Sequence, residues 1–139
     1  MKMMAVVVAT LAVLLLLVGA CAGAGPGSGD ALAGTSWELV AYGNTRPIPG
    51  TTITATFEDG QLRGSAGCNS YFGSYQVSDD QIRVGDMAMT EMACLEPAGV
   101  MEQELAFAEF MRDAQSFRLV DGQLQIFRLD GRALIFDPQ

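Results

Sequence analysis

The sequence predicts an α+β domain that is rich in strands and carries a single late helix. Three observations lead there. From Leu32 onward, apolar and polar residues alternate through most of the chain, the period-2 pattern of strands with one buried face. Aspartate–glycine pairs at Asp59-Gly60, Asp121-Gly122 and Asp130-Gly131 punctuate that pattern, and such pairs favour tight hairpins because both residues tolerate positive φ. Only the stretch from Pro97 to Ala114 changes to a helical period. Two-residue turns join antiparallel neighbours, whereas parallel neighbours need long crossovers. A mostly antiparallel sheet, curled into a partly open barrel and packed on the helix, is the economical arrangement.

The first strand, Ser36 to Tyr42, places Trp37, Leu39 and Ala41 on one face. Gly43-Asn44 and Pro47-Ile48-Pro49-Gly50 then break the chain. In "TTITATFEDG", Ile53, Ala55 and Phe57 alternate with threonines, a β-branched strand with one apolar side. "QLRGSAG" should pair back on it, with Gly64 and Gly67 marking a bulge or a close backbone approach. Short strands are expected at Gly73 to Val77 and Gln81 to Val84, around a Ser78-Asp79-Asp80 turn. In the helix, Val100, Met101, Leu105, Ala108 and Met111 follow one apolar stripe, widened by Phe107 and Phe110. Pro97 suits its first turn, and Glu102 and Glu104 suit the positive end of its dipole. Ser116 to Val120, Gln123 to Leu129 and Ala133 to Phe136 complete seven or eight strands.

Residues 1–20 have a different character. Lys2 precedes an apolar run from Ala5 to Val18, followed by small residues, which is the layout of an export signal. The alternative, a retained membrane anchor, is disfavoured by the shortness of the run and its small, flexible downstream flank. Val18-Gly19-Ala20-Cys21 resembles the bacterial lipobox, in which cleavage before the cysteine and acylation of it create a lipid anchor. Several acyl chains together anchor firmly, where a single chain binds only marginally. Residues 21–31 would then join the lipidated Cys21 to a domain at 32–139 through a flexible Gly/Ala/Ser tether. This reading places the protein in the cell envelope, exported from the cytoplasm, and on the outer membrane if the organism has one.

The chain has eight basic and sixteen acidic residues, and without Lys2 the mature part is near −9. Its arginines are scattered, so a nucleic-acid partner is not expected. Anionic headgroups would repel the domain itself, which leaves membrane binding to the anchor.

The sequence contains no histidine. Ser-His-Asp and Cys-His chemistry are thereby excluded, and no catalytic residue or cofactor is assigned. Cys68 and Cys94 are too few for a structural zinc site, and no metal site is assigned. In an oxidising compartment they are expected to form a disulfide, since the lipobox accounts for the odd cysteine. Two free buried thiols are the alternative. The acids Glu58-Asp59 and Asp79-Asp80 fall in turns and read as solvated. Met87, Met89, Met92, Met101 and Met111 suggest a soft-metal or adaptable binding surface, although helical spacing favours the core for the last two. Tyr71, Phe72 and Tyr75 suit either sheet packing, the expectation here, or a pocket lining.

"GTSWELV", "ATFEDGQLRGSAGCNSYFGSYQV", "IRVGDMAMTEMAC" and "EQELAFAEFM" occur in an order that resembles the META domain family, and within it the HslJ-like, heat-shock-associated lipoproteins. The most specific parts are Gly67-Cys68-Asn69 and the segment containing Thr90, Met92 and Cys94. The resemblance implies an exported or lipid-anchored envelope protein built on a strand-rich, partly opened barrel around a helix. It implies no catalytic residues and no cofactor. Combined with the anchor and the missing catalytic sets, it leads to the expectation of a non-enzymatic lipoprotein that binds an envelope protein segment or an apolar ligand. The alternative expectation is a structural or stress-protective envelope component without a ligand.

Overall fold

The computed structural model describes residues 29–139. The expected signal peptide, Cys21 and most of the tether lie outside the described residues. The elements are β1 (Thr35–Tyr42), β2 (Thr54–Glu58), β3 (Gln61–Ser65), β4 (Ser70–Ser78), β5 (Gln81–Met89), α1 (Val100–Arg112), β6 (Ser116–Val120), β7 (Gln123–Phe127) and β8 (Ala133–Pro138). All neighbouring pairs are antiparallel and follow chain order, and β8 returns to β1. The sheet is therefore a closed barrel, which corrects the partly open one expected from sequence.

Closure depends on a short seam. β5 and β6 share the single register pair Gln81–Ser116, flanked by bonds from the Ile82 N–H to the Gln115 carbonyl and from the Phe117 N–H to the Asp80 carbonyl. From Arg83 to Met89, β5 has no strand partner on that side among the described residues, and α1 packs against the strand instead. Sequence patterning ended this strand at Val84, because Gly85 and Asp86 interrupt the alternation. Opposite Ser74 the register shifts by a bulge, which absorbs that interruption and lets β5 run on to Met89.

The alternating residues behave as their pattern demands. Trp37, Leu39, Ile53, Ala55, Phe57, Leu62, Ile82, Leu124, Ile126, Leu134 and Phe136 fill the interior. A bulge between Leu39 and Ala41 leaves Ala41 only half-buried. The turns at Asp59-Gly60, Asp79 and Asp121-Gly122 take the positive φ their residues tolerate. Tyr71 and Tyr75 pack into the core, Tyr75 edge-on to Phe57 with ring centroids 4.9 Å apart and its hydroxyl bonded to Asp30. Phe72, between them, points outward and is 63% exposed.

Gly64 is the close approach its sequence position suggested. A Cβ built there would lie 2.0 Å from the backbone oxygen of Thr54. Gly64→Ala is expected to destabilise the domain by about 2–3 kcal/mol, the upper range for overpacking against backbone that cannot yield cheaply. Urea unfolding of the variant would check it; a change below about 0.5 kcal/mol, the scale of ordinary surface substitutions, would show that the strands separate freely there.

The Tyr71 hydroxyl donates to the same Thr54 oxygen at 2.7 Å, and burial raises its pKa well above the ordinary phenol value. A pKa raised in the folded state leaves the contribution intact below the unfolded value of about 10 and removes it as the pH climbs further. The contribution of Tyr71 to stability should thus be flat to about pH 10 and then fall. In Tyr71→Phe the alkaline slope should be shallower, at a cost near neutrality of about 1 kcal/mol for the lost hydrogen bond. Equal alkaline slopes in the two proteins would exclude Tyr71 as a source of the effect.

Candidate functional site

The two motif segments singled out in the sequence meet at one place. Ala66 to Ser70 forms the turn between β3 and β4, and Thr90 to Cys94 follows β5. Gly67 has φ +124°, a conformation that side-chain-bearing residues rarely adopt, and this swings Cys68 toward the second segment. Cys68 and Cys94 are joined by a disulfide with Cα atoms 6.3 Å apart, a normal span for the bond.

Asn69, named from the sequence only as part of the motif, is the hub of this meeting. Its side chain is buried at 2% exposure and makes bonds in both directions. Oδ1 accepts from the Thr90 hydroxyl at 2.8 Å and from the Met92 N–H at 2.7 Å. Nδ2 donates to the Met92 carbonyl at 3.0 Å and to Glu104 Oε2 at 2.8 Å. Glu104, equally buried, also accepts the backbone N–H of Cys68 at 2.6 Å and that of Asn69. Three chain segments are thereby clasped together, and among the described residues no buried side-chain polar atom lacks a partner. From the sequence, Glu104 is only an acid near the positive end of the helix dipole. Only its partners, more than thirty residues away in sequence, reveal its use.

The helix also corrects its expected face. α1 turns Val100, Glu104, Phe107, Phe110 and Met111 inward. Phe107 packs against Tyr71, and Phe110 meets Tyr42 edge-on. Met101, Leu105 and Ala108, assigned to the buried stripe from their spacing, form the neighbouring stripe, which is exposed or half-buried. An acid occupies the inner position at Glu104, so an apolar count alone merges two stripes into one. The clasp is what makes that acid tolerable inside.

The outer stripe of α1 and the unpartnered half of β5 form a groove of about 570 Å³, with the clasp as its end wall. Its apolar lining includes Met87, Met89, Met92, Met101 and Leu105. Met87 and Met89 pair across the sheet with Gly73 and Tyr71, so they share the inner face, yet they are only half-buried because β6 is not beside them. Met92 is 56% exposed, Met101 37% and Leu105 59%. Of the methionines read as an adaptable surface, four converge here and Met111 belongs to the core. The charged groups of the lining are Glu91, Glu104 and Arg112. A smaller groove of about 310 Å³ lies beside α1 near Ile48. There Gln103 binds the Ile48 N–H at 2.7 Å and the Thr51 hydroxyl at 3.0 Å, which ties the loop to the helix. Among the described residues no group of three or more His, Cys, Asp or Glu side chains is placed to hold a metal ion.

The family model described as "META domain" matches residues 30–139, which contain every barrel strand, the helix and both halves of the clasp. The chain belongs to the META domain family. This META domain is similar to a protein from Burkholderia xenovorans solved by NMR, with 29% identity over 78% of this chain and 83% of that one, at a TM-score of 0.65. A second NMR structure is 22% identical over 76% and 90% of the two chains, with a TM-score of 0.62. The crystal structure of a DUF4847 family protein from Bacteroides vulgatus is 16% identical over 77% and 94%, with a TM-score of 0.55. At those last two identities the likeness concerns the fold alone. No curated protein sequence matches this chain.

Proposed function

We propose that this META domain protein is a non-enzymatic cell-envelope lipoprotein, anchored through Cys21, whose domain holds a protein segment or an apolar ligand in the groove between β5 and α1. The carrying observation is the second apolar stripe of the helix. Met101 and Leu105 lie in the open beside Met92, while the helix already buries a complete inner face. Unburied apolar side chains gathered in a concavity mark binding surfaces, and methionines adapt to varied partners. The barrel interior is filled by aromatic and aliphatic side chains, which moves the expected ligand from inside the sheet to its flank. A role in the envelope stress response rests on the family resemblance.

The same filled interior favours a second reading, a structural or stress-protective component with no ligand of its own. Native mass spectrometry of protein released gently from membranes separates the two. Bound lipid or peptide that Leu105→Glu displaces supports the ligand reading, and a bare protein in every preparation supports the second. The anchor has its own test. Radiolabelled palmitate is expected to enter the wild-type chain and not Cys21→Ser, and label retained by the variant would move the lipidation site elsewhere.

A further inference from the structure

Resting on the ligand-binding reading, we infer that the groove's occupant is an extended segment of another protein, added antiparallel to the free edge of β5, with basic residues in its first half and an acidic group in its second. Three observations carry this. First, among the described residues β5 beyond Ile82 lacks a strand neighbour on its β6 side, so its edge offers main-chain groups to an incoming strand. The groove lies against that edge, where Met87, Met89, Met101 and Leu105 supply pockets for alternate side chains. Second, the charges are polarised along the groove. Glu91 lies past the top of β5, and Arg112 lies at the foot of α1, close to where Ser116 pairs with Gln81. Arg112, like Arg46, Arg83 and Arg118, has no salt-bridge partner among the described residues, and it alone of these four lines the groove. A strand antiparallel to β5 starts beside Glu91 and ends beside Arg112, so its first half meets an acid and its second half a guanidinium. The acidity of the whole chain, net −8, steers a cationic segment toward it. Third, the chain outside the described residues enters at the other pole. Ala31 lies beside Asp79 and Asp80, and Asp30 bonds to Tyr75. Met89 is nine strand positions from Asp80, about 30 Å away. Attachment at that pole puts the groove at the end remote from the tether, which favours a protein segment over membrane lipid.

The test is selection of a displayed library of random peptides about ten residues long (the span of the β5 edge plus flanks) on the purified full-length chain in detergent micelles. The expected peptides alternate apolar and polar positions, with Lys or Arg early and Asp or Glu late. A synthetic copy of the best one should slow hydrogen exchange at Val84–Met89. Its affinity should fall about tenfold or more in Leu105→Glu and in Arg112→Glu. Leu119→Glu, at an exposed residue far from the groove, should leave it unchanged. Peptides without that polarity, peptides indifferent to Leu105→Glu, or protection elsewhere in the barrel would each overturn the inference. So would a dimer of the chain abolished by Leu105→Glu, which would make a second copy the occupant. The same variants are titrated with vesicles of phosphatidylethanolamine and phosphatidylglycerol. Lipid binding that depends on Leu105, with no peptide selected, overturns the segment and retains the ligand reading. Neither probe binding overturns both.

Discussion

Replacing Cys68 and Cys94 together with serine is expected to lower the unfolding free energy by roughly 3–4 kcal/mol. The bond closes a loop of 26 residues, and restricting that loop in the unfolded chain accounts for an effect of that size on the chain-entropy model. Serine is the informative replacement because the clasp does not depend on sulfur for its shape. Asn69 and Glu104 still hold Thr90, Met92 and the Cys68 N–H in the folded state. The loss therefore falls mainly on the unfolded state, and the folded groove should keep its form. For a domain of this size the melting temperature should drop by about 15 °C. Treatment with reductant should reproduce the drop in the wild type and do nothing to the double variant. A wild type that melts identically with and without reductant would show that the bond contributes little to stability.

The clasp itself should be at least as costly to break. Asn69→Ala is expected to destabilise by about 3–5 kcal/mol, because it removes one donor from the buried Glu104 carboxylate and leaves both polar groups of Met92 short of their partner. Asn69→Asp preserves the shape and should nonetheless be worse than alanine. It replaces the Nδ2 donor with an oxygen facing Glu104 Oε2 across 2.8 Å, putting two acceptors in contact. Combined with Glu104→Ala, the Asn69→Ala change should show a coupling of about 1–3 kcal/mol in a double-mutant cycle, since the two side chains share one network. Denaturant titration of the four proteins measures it. Additive effects, or an aspartate milder than alanine, would mean that Asn69 and Glu104 act independently and that the hub is wrongly drawn.

Much of the barrel was legible from the chain because its rules are local. Alternation in "TTITATF" follows directly from the pleat, and the Asp-Gly pairs follow from allowed φ values. The cysteine pairing was legible by elimination, since no histidine offered the thiols another chemistry. Closure was not, because whether β5 meets β6 depends on a stagger that no local pattern encodes. On its other side, the pairing of β5 with β4 explains why the alternation points to a strand end at Val84: the pattern breaks at a bulge, and strand pairing across the bulge restores it.

The groove shows the division most sharply. Its residues carry a sequence signal, four methionines and a leucine on either side of a cysteine motif. Their spacing on the helix led to the core, because a period of 3.6 identifies a face without saying which way that face turns. The direction is the one that lets the Glu104 carboxylate meet the N–H groups of Cys68 and Asn69 while Val100, Phe107, Phe110 and Met111 are buried. In that orientation Phe107 and Phe110 face inward and Met101 and Leu105 stay outside. The sequence by itself determined the strands, their turns, the disulfide partners and the family. Tertiary structure alone decided that the barrel closes through one short seam and which face of the helix remains open. The physical reason is that hydrogen bonds between distant segments, unlike periodicity, exist only once the chain has folded.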